Sequence, residues 1–381
     1  MNELHIDKTH WKKYRFDEMV QNISERVEPS QTDLDMYVGL EHIDPDTLHL
    51  SRHGHPSDVE GTKLRFYKGD IIFGRRRAYQ RKTVLATTDG ICSAHAMVVR
   101  AKEDVVDPMF LPFLFHSKNF IDMAITISVG GLSPTINWKD ISKQKFHLPP
   151  KAEQKRLAEL LWAADEVVEK EKREMERMEK YIGDTISNNY KSFSRKRMKL
   201  GDLCVEKPTY GSNSPACEFD GEMRYVRITD IDDFGRLFSN EIKSTHIQDP
   251  EKYLLKENDL LIARTAVPGK SFLYEKKYGK CVYAGYLIRF KLNDAIVVPK
   301  YVFYYTLSSM YYKWINSHNK TGTVSNINAQ EYSALEIPCC TMAEQLDFVN
   351  KIDGLNDVYC NCMKIFNQSK QIKQELINKV F

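Results

Sequence analysis

The stretch Gly74-Arg75-Arg76-Arg77-Ala78-Tyr79-Gln80-Arg81-Lys82 gathers five cations around a tyrosine and a glutamine. Arginine and glutamine carry the paired donors and acceptors that bidentate contact with guanine and adenine edges requires, and lysine suits phosphate. Any one of these arginines serves equally well as a surface charge; the concentration of them is what points to nucleic acid. A second polar stretch, Ala263 to Ser271, offers Arg264, Thr265, Lys270 and Ser271 after another short apolar run. A third, Pro208 to Asn213, offers Tyr210 and Asn213, and reads equally as an ordinary turn. These side chains form the candidate nucleic-acid-contacting set.

Catalytic and metal-binding patterns fit poorly. Pro268-Gly269-Lys270-Ser271 resembles the end of a phosphate-binding loop, but Arg264 stands where the upstream glycine is required. Val129-Gly130-Gly131 lacks dinucleotide-loop spacing. Leu148-Pro149-Pro150-Lys151 has no Asn or Asp before the prolines and no aromatic after them, so it is not an amino-methyltransferase signature. Pro250-Glu251 with Glu275-Lys276-Lys277 mimics a metal-dependent nuclease core only loosely. His42, His49, His53 and His55 read as a polar exposed loop before Pro56. The eight cysteines show no zinc-ligand spacing, and reduced thiols in a cytoplasmic protein are expected. No catalytic residue, metal or cofactor is therefore assigned to the chain.

The two polar loops must be held by something, and an internal repeat supplies it. Tyr37-Val38-Gly39-Leu40 returns as Tyr225-Val226-Arg227-Ile228, and Lys68-Gly69-Asp70-Ile71 as Glu257-Asn258-Asp259-Leu260. Cys92 to Arg100 matches Cys281 to Arg289; Pro108 matches Pro299; Thr135-Ile136-Asn137 matches Asn326-Ile327-Asn328; Glu153-Gln154 matches Glu344-Gln345. The displacement stays near roughly 190 residues throughout. Each copy is rich in short β-type runs such as Ile71-Ile72-Phe73 and Leu260-Leu261-Ile262. A helix is expected after Pro108 and Pro299, since proline suits the first helical turn. Gly130 to Asn137 and Thr321 to Asn328 read either as phosphate-approaching backbone or as tight connections packed on the sheet.

Each copy ends in a long helix. From Glu153 to about Tyr190, Leu157, Leu161, Ala164, Val168, Met175, Met178 and Ile182 recur at steps of three and four, with Glu171 the only charged residue in the seam. The terminal segment, about Ala343 to Phe381, carries Val349, Ile352, Tyr359, Met363, Phe366, Ile377 and Val380, interrupted by Asn356, Lys370 and Lys373. One helix cannot bury its own stripe, so antiparallel, coiled-coil-like pairing of the two is expected. A duplication of this kind implies an approximate two-fold relation, with the globular parts at opposite ends. Lys191 to Lys199, five cations and no acid, suits either a solvated helix end or phosphate contact.

At 381 residues, with 42% hydrophobic and 28% charged residues, the chain has room for two or three ordinary globular cores. It has no run of about 18 apolar residues and no signal-peptide core at its start. The fold class expected is α+β: two tandem mixed α/β domains and two long helices. The expected divisions are 1–150 for the first domain, 151–192 for the first helix, 193–340 for the second domain and 341–381 for the second helix.

This layout resembles the specificity (S) subunit of type I restriction–modification systems over essentially the whole chain. The paired segments above carry the resemblance, with the helix openings Leu148-Pro149-Pro150-Lys151-Ala152-Glu153-Gln154 and Ile337-Pro338-Cys339-Cys340-Thr341-Met342-Ala343-Glu344-Gln345; the second has cysteine for the second proline. The resemblance implies a non-catalytic, DNA-binding subunit of a phage-defence system. Two target-recognition domains each read half of a split double-stranded site, and two spacer helices set the separation. It also implies partners: two modification subunits that bind S-adenosylmethionine and methylate adenine, and a motor and restriction subunit using ATP and Mg. Competing readings are the recognition subunit of a type IIB-like or phage-exclusion methylation system, a protein-binding scaffold, and a nuclease.

Overall fold

The computed structural model describes residues 6–192, 196–318 and 326–381. Parts of two stretches singled out in the sequence, Lys191 to Lys199 and Thr321 to Asn328, lie outside the described residues. The chain divides into two compact units: Met1–Lys172 with Lys364–Phe381, and Arg173–Met363.

In the first unit a four-stranded antiparallel sheet runs Val20–Ile23, Met97–Ala101, Ile71–Phe73, Thr83–Leu85 in spatial order. A second sheet runs Arg26–Val27, Lys63–Phe66, Gly90–Cys92, Tyr37–Val38, its last pair parallel. A two-stranded ribbon, Lys12–Arg15 with Lys145–Leu148, completes it. Phe16, Phe73, Phe115 and Phe120 form the centre of the core, with ring centroids 4.6–6.1 Å apart. Such edge and tilted contacts add to the area that the rings remove from water.

The second unit repeats this plan except that its second sheet is split into two two-stranded pairs, Ala216–Glu218 with Lys243–Thr245 and Met223–Val226 with Lys280–Tyr283. Its four-stranded sheet runs Thr209–Tyr210, Leu287–Lys291, Asp259–Ala263, Ser271–Leu273. Met223–Val226 lies parallel to Lys280–Tyr283, as Tyr37–Val38 does to Gly90–Cys92. Lys196–Lys199 pairs with Glu336–Cys339, matching the ribbon of the first unit. The second helix of the repeat starts on Pro299 itself (Pro299–Tyr305), whereas the first starts three residues after Pro108, at Leu111.

The repeated sequence segments have local physical causes. In Lys68-Gly69-Asp70 and Glu257-Asn258-Asp259 the middle residue has positive φ, 91° at Gly69 and 71° at Asn258. Glycine and asparagine tolerate that conformation best. The aspartate then accepts the N–H three residues back, from Tyr67 and from Lys256, each at 2.8 Å. Asp70 also holds Arg100 through two hydrogen bonds of 2.7 and 2.9 Å, and Asp259 faces Arg289 at 3.8 Å. The Glu-Gln pair is explained by its glutamine. Buried Gln154 accepts from the Asp107 N–H and donates to the Val105 and Pro149 carbonyls. Buried Gln345 accepts from the Val298 N–H and donates to the Cys340 carbonyl. Each amide thus ties the start of a long helix to the segment before Pro108 or Pro299, with its buried polar atoms satisfied.

The long helices span Lys151–Ser192, 42 residues, and Met342–Val380, 39 residues. Thr341 and Glu344 start the latter with a reciprocal capping box. The pairing is antiparallel within each unit. In the first, Asp165 meets Lys373 and Glu171 meets Ser369; in the second, Glu179 meets Tyr359. Leu157 and Leu161 share a core with Ile377 and Val380. Met175, Met178 and Ile182 share one with Val349, Ile352, Tyr359 and Met363. Val168 is buried, and Phe366 is half-buried beneath the Lys370 ammonium. The seam differs from expectation at one point. Glu171 is not its only charge, because Asp165 is 1% exposed within it. Lys373, which interrupts the apolar pattern of the last helix, is the partner of Asp165 at 3.0 Å.

Candidate nucleic-acid interface

The loop Gly74–Lys82 is closed at its base by the Gly74 N–H donating to the Lys82 carbonyl at 2.8 Å. Inside it Arg77 and Arg81 take left-handed conformations, φ 57° and 55°. The loop then leans on a second one. The Arg75 carbonyl accepts from the Ile136 N–H at 3.0 Å, and the Arg77 N–H donates to the Pro134 carbonyl at 2.7 Å. The Arg76 and Arg77 guanidinium groups both donate to the Ser133 hydroxyl, each at 3.1 Å. Arg75 donates to the Ala94 carbonyl at 3.0 Å, while its Nε is buried without a partner.

Not every cation of the loop faces outward. Arg81 pairs with Asp46 and donates to the His116 carbonyl and the Gln374 side chain, so it ties the loop to the last helix within this unit. Lys82 donates to the Leu40 carbonyl at 2.6 Å. Gln80 is half-buried, and Tyr79 is 52% exposed.

In the second unit the equivalent junction is built the same way. The Arg264 carbonyl accepts from the Ile327 N–H at 2.9 Å. The Arg264 guanidinium donates to Asn326 at 3.1 Å and lies 5.0 Å above the Tyr210 ring, within cation–π range. The Tyr210 hydroxyl accepts the Ala329 N–H. Asn213 is exposed and Thr265 half-buried. Lys270 pairs with Asp233 at 3.3 Å, and Ser271 is 2% exposed with its hydroxyl on Thr306 at 2.6 Å. Neither offers a free polar group to an external ligand. Tyr286, exposed, with its carbonyl taking the Arg264 N–H, belongs to this edge but stands out in the sequence only as part of a strand.

Many arginines of the chain carry a carboxylate partner, although among the described residues Arg26, Arg156, Arg173 and Arg224, like the arginines of the loop junctions, have none. Arg15, Arg52, Arg65, Arg81, Arg100 and Arg227 all sit on carboxylates. Among the described residues no ion pair reaches Arg75, Arg76, Arg77 or Arg264. A cavity of about 930 Å³ in the second unit shows the opposite pattern. Its cations are met by acids: Lys270 by Asp233, Lys277 by Glu275 and Lys300 by Asp353. An anion is therefore drawn to the loop edges and not to that cavity.

Of the histidines among the described residues, only His53 and His55 stay together, with ring centroids 5.9 Å apart. His42 accepts the Gly39 N–H, while His49 binds Asp165 at 2.6 Å. That hydrogen bond outweighs burial and raises the His49 pKa. For Asp165, burial is the largest effect and would push the carboxyl up, but His49 and Lys373 together hold it below the usual value. His116 is fully enclosed, and burial followed by the nearby Lys373 ammonium lowers it to about 4. No cluster able to hold a metal occurs among the described residues, and all eight cysteines are free.

The family description "Type I restriction modification DNA specificity domain" matches residues 10–180 and again 195–373. The chain belongs to that family. It is a DNA specificity subunit of a type I restriction–modification system, the non-catalytic member of such systems, and its two matches coincide with the two copies of the repeat. The EcoDI type I restriction enzyme specificity subunit of Escherichia coli is 30% identical over 166 residues, which cover 42% of this chain and only 37% of that protein. The relative named as the MjaX type I restriction enzyme specificity subunit of Methanocaldococcus jannaschii is 23% identical over 372 residues, 89% of this chain and 84% of that one. In fold, the specificity subunit resembles a chain solved in work on the assembly and conformational transition of the type I system, with TM-score 0.61, 17% identity and coverage of 99% and 98%. It also resembles the type I S subunit from M. genitalium, with TM-score 0.54, 12% identity and the same coverage. Among the described residues no helix is long and apolar enough to cross a membrane.

Proposed function

We propose that each unit reads one half of a bipartite duplex site. The first does so through Arg75, Arg76, Arg77 and Tyr79 beside the Ser133 loop, the second through Tyr210, Asn213, Arg264 and Thr265. The observation that carries this is the set of arginines with no carboxylate partner at the same junction of each repeat. Two guanidinium groups sharing one neutral hydroxyl gain from an incoming phosphate or guanine edge. Arg81, Lys82, Lys270 and Ser271 hold the loops instead of touching DNA. The paired helices set the spacing and dock two methyltransferase subunits, which bring S-adenosylmethionine. A restriction subunit brings ATP and Mg.

The test begins with the host methylome, which gives the split motif. Binding of the complex is then measured on duplexes with either half scrambled. Replacing Arg75, Arg76 and Arg77 by Ala weakens recognition of one half and lowers the salt slope by roughly 0.9 for each phosphate no longer neutralised. Equal weakening at both halves, or none, refutes the assignment.

A further inference from the structure

Beside the uncompensated arginines stands an apolar apex that half-site reading by polar groups does not use. Val129 and Thr135 exchange two backbone hydrogen bonds, 3.0 and 2.9 Å, which pinch off the segment between them. Gly130, at φ 114°, turns the chain, and Leu132 stands at the tip, 96% exposed. The next residue, Ser133, is the one that receives both Arg76 and Arg77. Val129, in the pinch, is 64% exposed, and Tyr79, in the arginine loop, is 52% exposed. A leucine held at the tip of a braced, pinched loop and flanked by two cations is presented to whatever those cations bind.

We infer that Leu132 is a wedge that inserts between stacked bases of the bound duplex while Arg76 and Arg77 hold the flanking phosphates. Apolar wedges with adjacent cations unstack a step and kink DNA by about 20–90°. The occupant is duplex DNA because the flanking groups are guanidinium without acid. An apolar protein surface would leave those charges buried and unpaired. The repeat places Thr323 at the position matching Leu132, by the displacement that aligns Ile136 with Ile327. Distortion is therefore expected in the half-site read by the first unit.

This inference rests on the proposed DNA contact, and the experiment separates the two. The specific duplex carries 2-aminopurine in turn at each position of both halves except the methylated adenines, and is bound by the full complex. The expected result is a several-fold fluorescence rise at one step of one half. Leu132→Ala abolishes the rise and leaves the salt slope unchanged, and Leu132→Met keeps it. A rise that survives Leu132→Ala, or no rise with the unaltered protein, overturns the wedge. If the triple arginine variant binds both halves normally, the DNA-contact reading fails, and the wedge with it.

Discussion

Consider replacing Lys373 by Met. Its ammonium lies 3.0 Å from Asp165, with the two side chains 8% and 1% exposed. Removing it leaves a buried carboxylate whose remaining partner is His49, itself 44% exposed. Breaking one side of a buried pair costs about 3–5 kcal/mol, whereas replacing both partners by apolar groups of similar volume is near neutral or stabilising. Asp165→Leu combined with Lys373→Met therefore recovers most of the stability. Urea unfolding of the full chain, followed by tryptophan fluorescence, reads this unit preferentially, because Trp11, Trp138 and Trp162 lie in it and Trp314 in the other. With a slope of about 2 kcal/mol per molar, a drop of about 4 kcal/mol moves the midpoint by roughly 2 M. The His49 pKa is raised on folding, so its contribution is fully present below its unfolded value and fades as pH rises through the folded one. The Lys373→Met penalty is accordingly larger at pH 8.5 than at pH 6. A penalty under about 1 kcal/mol by the same assay, a double variant as unstable as the single, or a penalty that does not change with pH refutes the reasoning.

His116 is lowered to about 4 on folding, so the stability it permits is complete above its unfolded value near 6.5 and declines as pH falls towards 4. Thermal melts of His116→Gln should lack about 3 kcal/mol of that acid-side decline. Gln154→Leu and Gln345→Leu each strand buried backbone groups and should cost roughly 3 kcal/mol, with denaturation midpoints falling by similar amounts. Ser133→Ala removes the rest shared by Arg76 and Arg77; half-site affinity should fall about five-fold in a binding titration, with the melting temperature unchanged.

Periodicity made the helices legible almost to their ends, because a stripe such as Leu157, Leu161, Val168 has one geometric solution. The repeat made it legible that both copies hold the same short β-type runs, and these close into the same four-stranded order twice, an order the runs alone do not give. Asp165 was not legible. A carboxylate on a seam looks like any charge on a helix until its partner, 208 residues away, is brought beside it. Lys373 was visible as an interruption without a reason for the same cause. At the loops, residue types marked a candidate stretch but not the direction of each side chain. Irregular backbone has no period, so Arg81 turning inward to Asp46 and Arg77 turning towards Ser133 depend on left-handed residues and on a loop more than fifty positions later.

That division has a functional logic. What is the same in the two units is backbone: the carbonyl of Arg75 or Arg264 receives the N–H of Ile136 or Ile327, and a buried isoleucine holds the junction in place. What differs is the side chains mounted on it, an arginine cluster in one and a Tyr210–Arg264–Asn326 stack in the other. Backbone hydrogen bonds are indifferent to side-chain identity, so this frame accepts new polar groups without losing its own stability. On the proposed reading, specificity changes by substitution at the rim while the aspartate turns, the buried glutamines and the helix seam remain untouched. A recognition subunit built this way alters what it reads without altering how it folds.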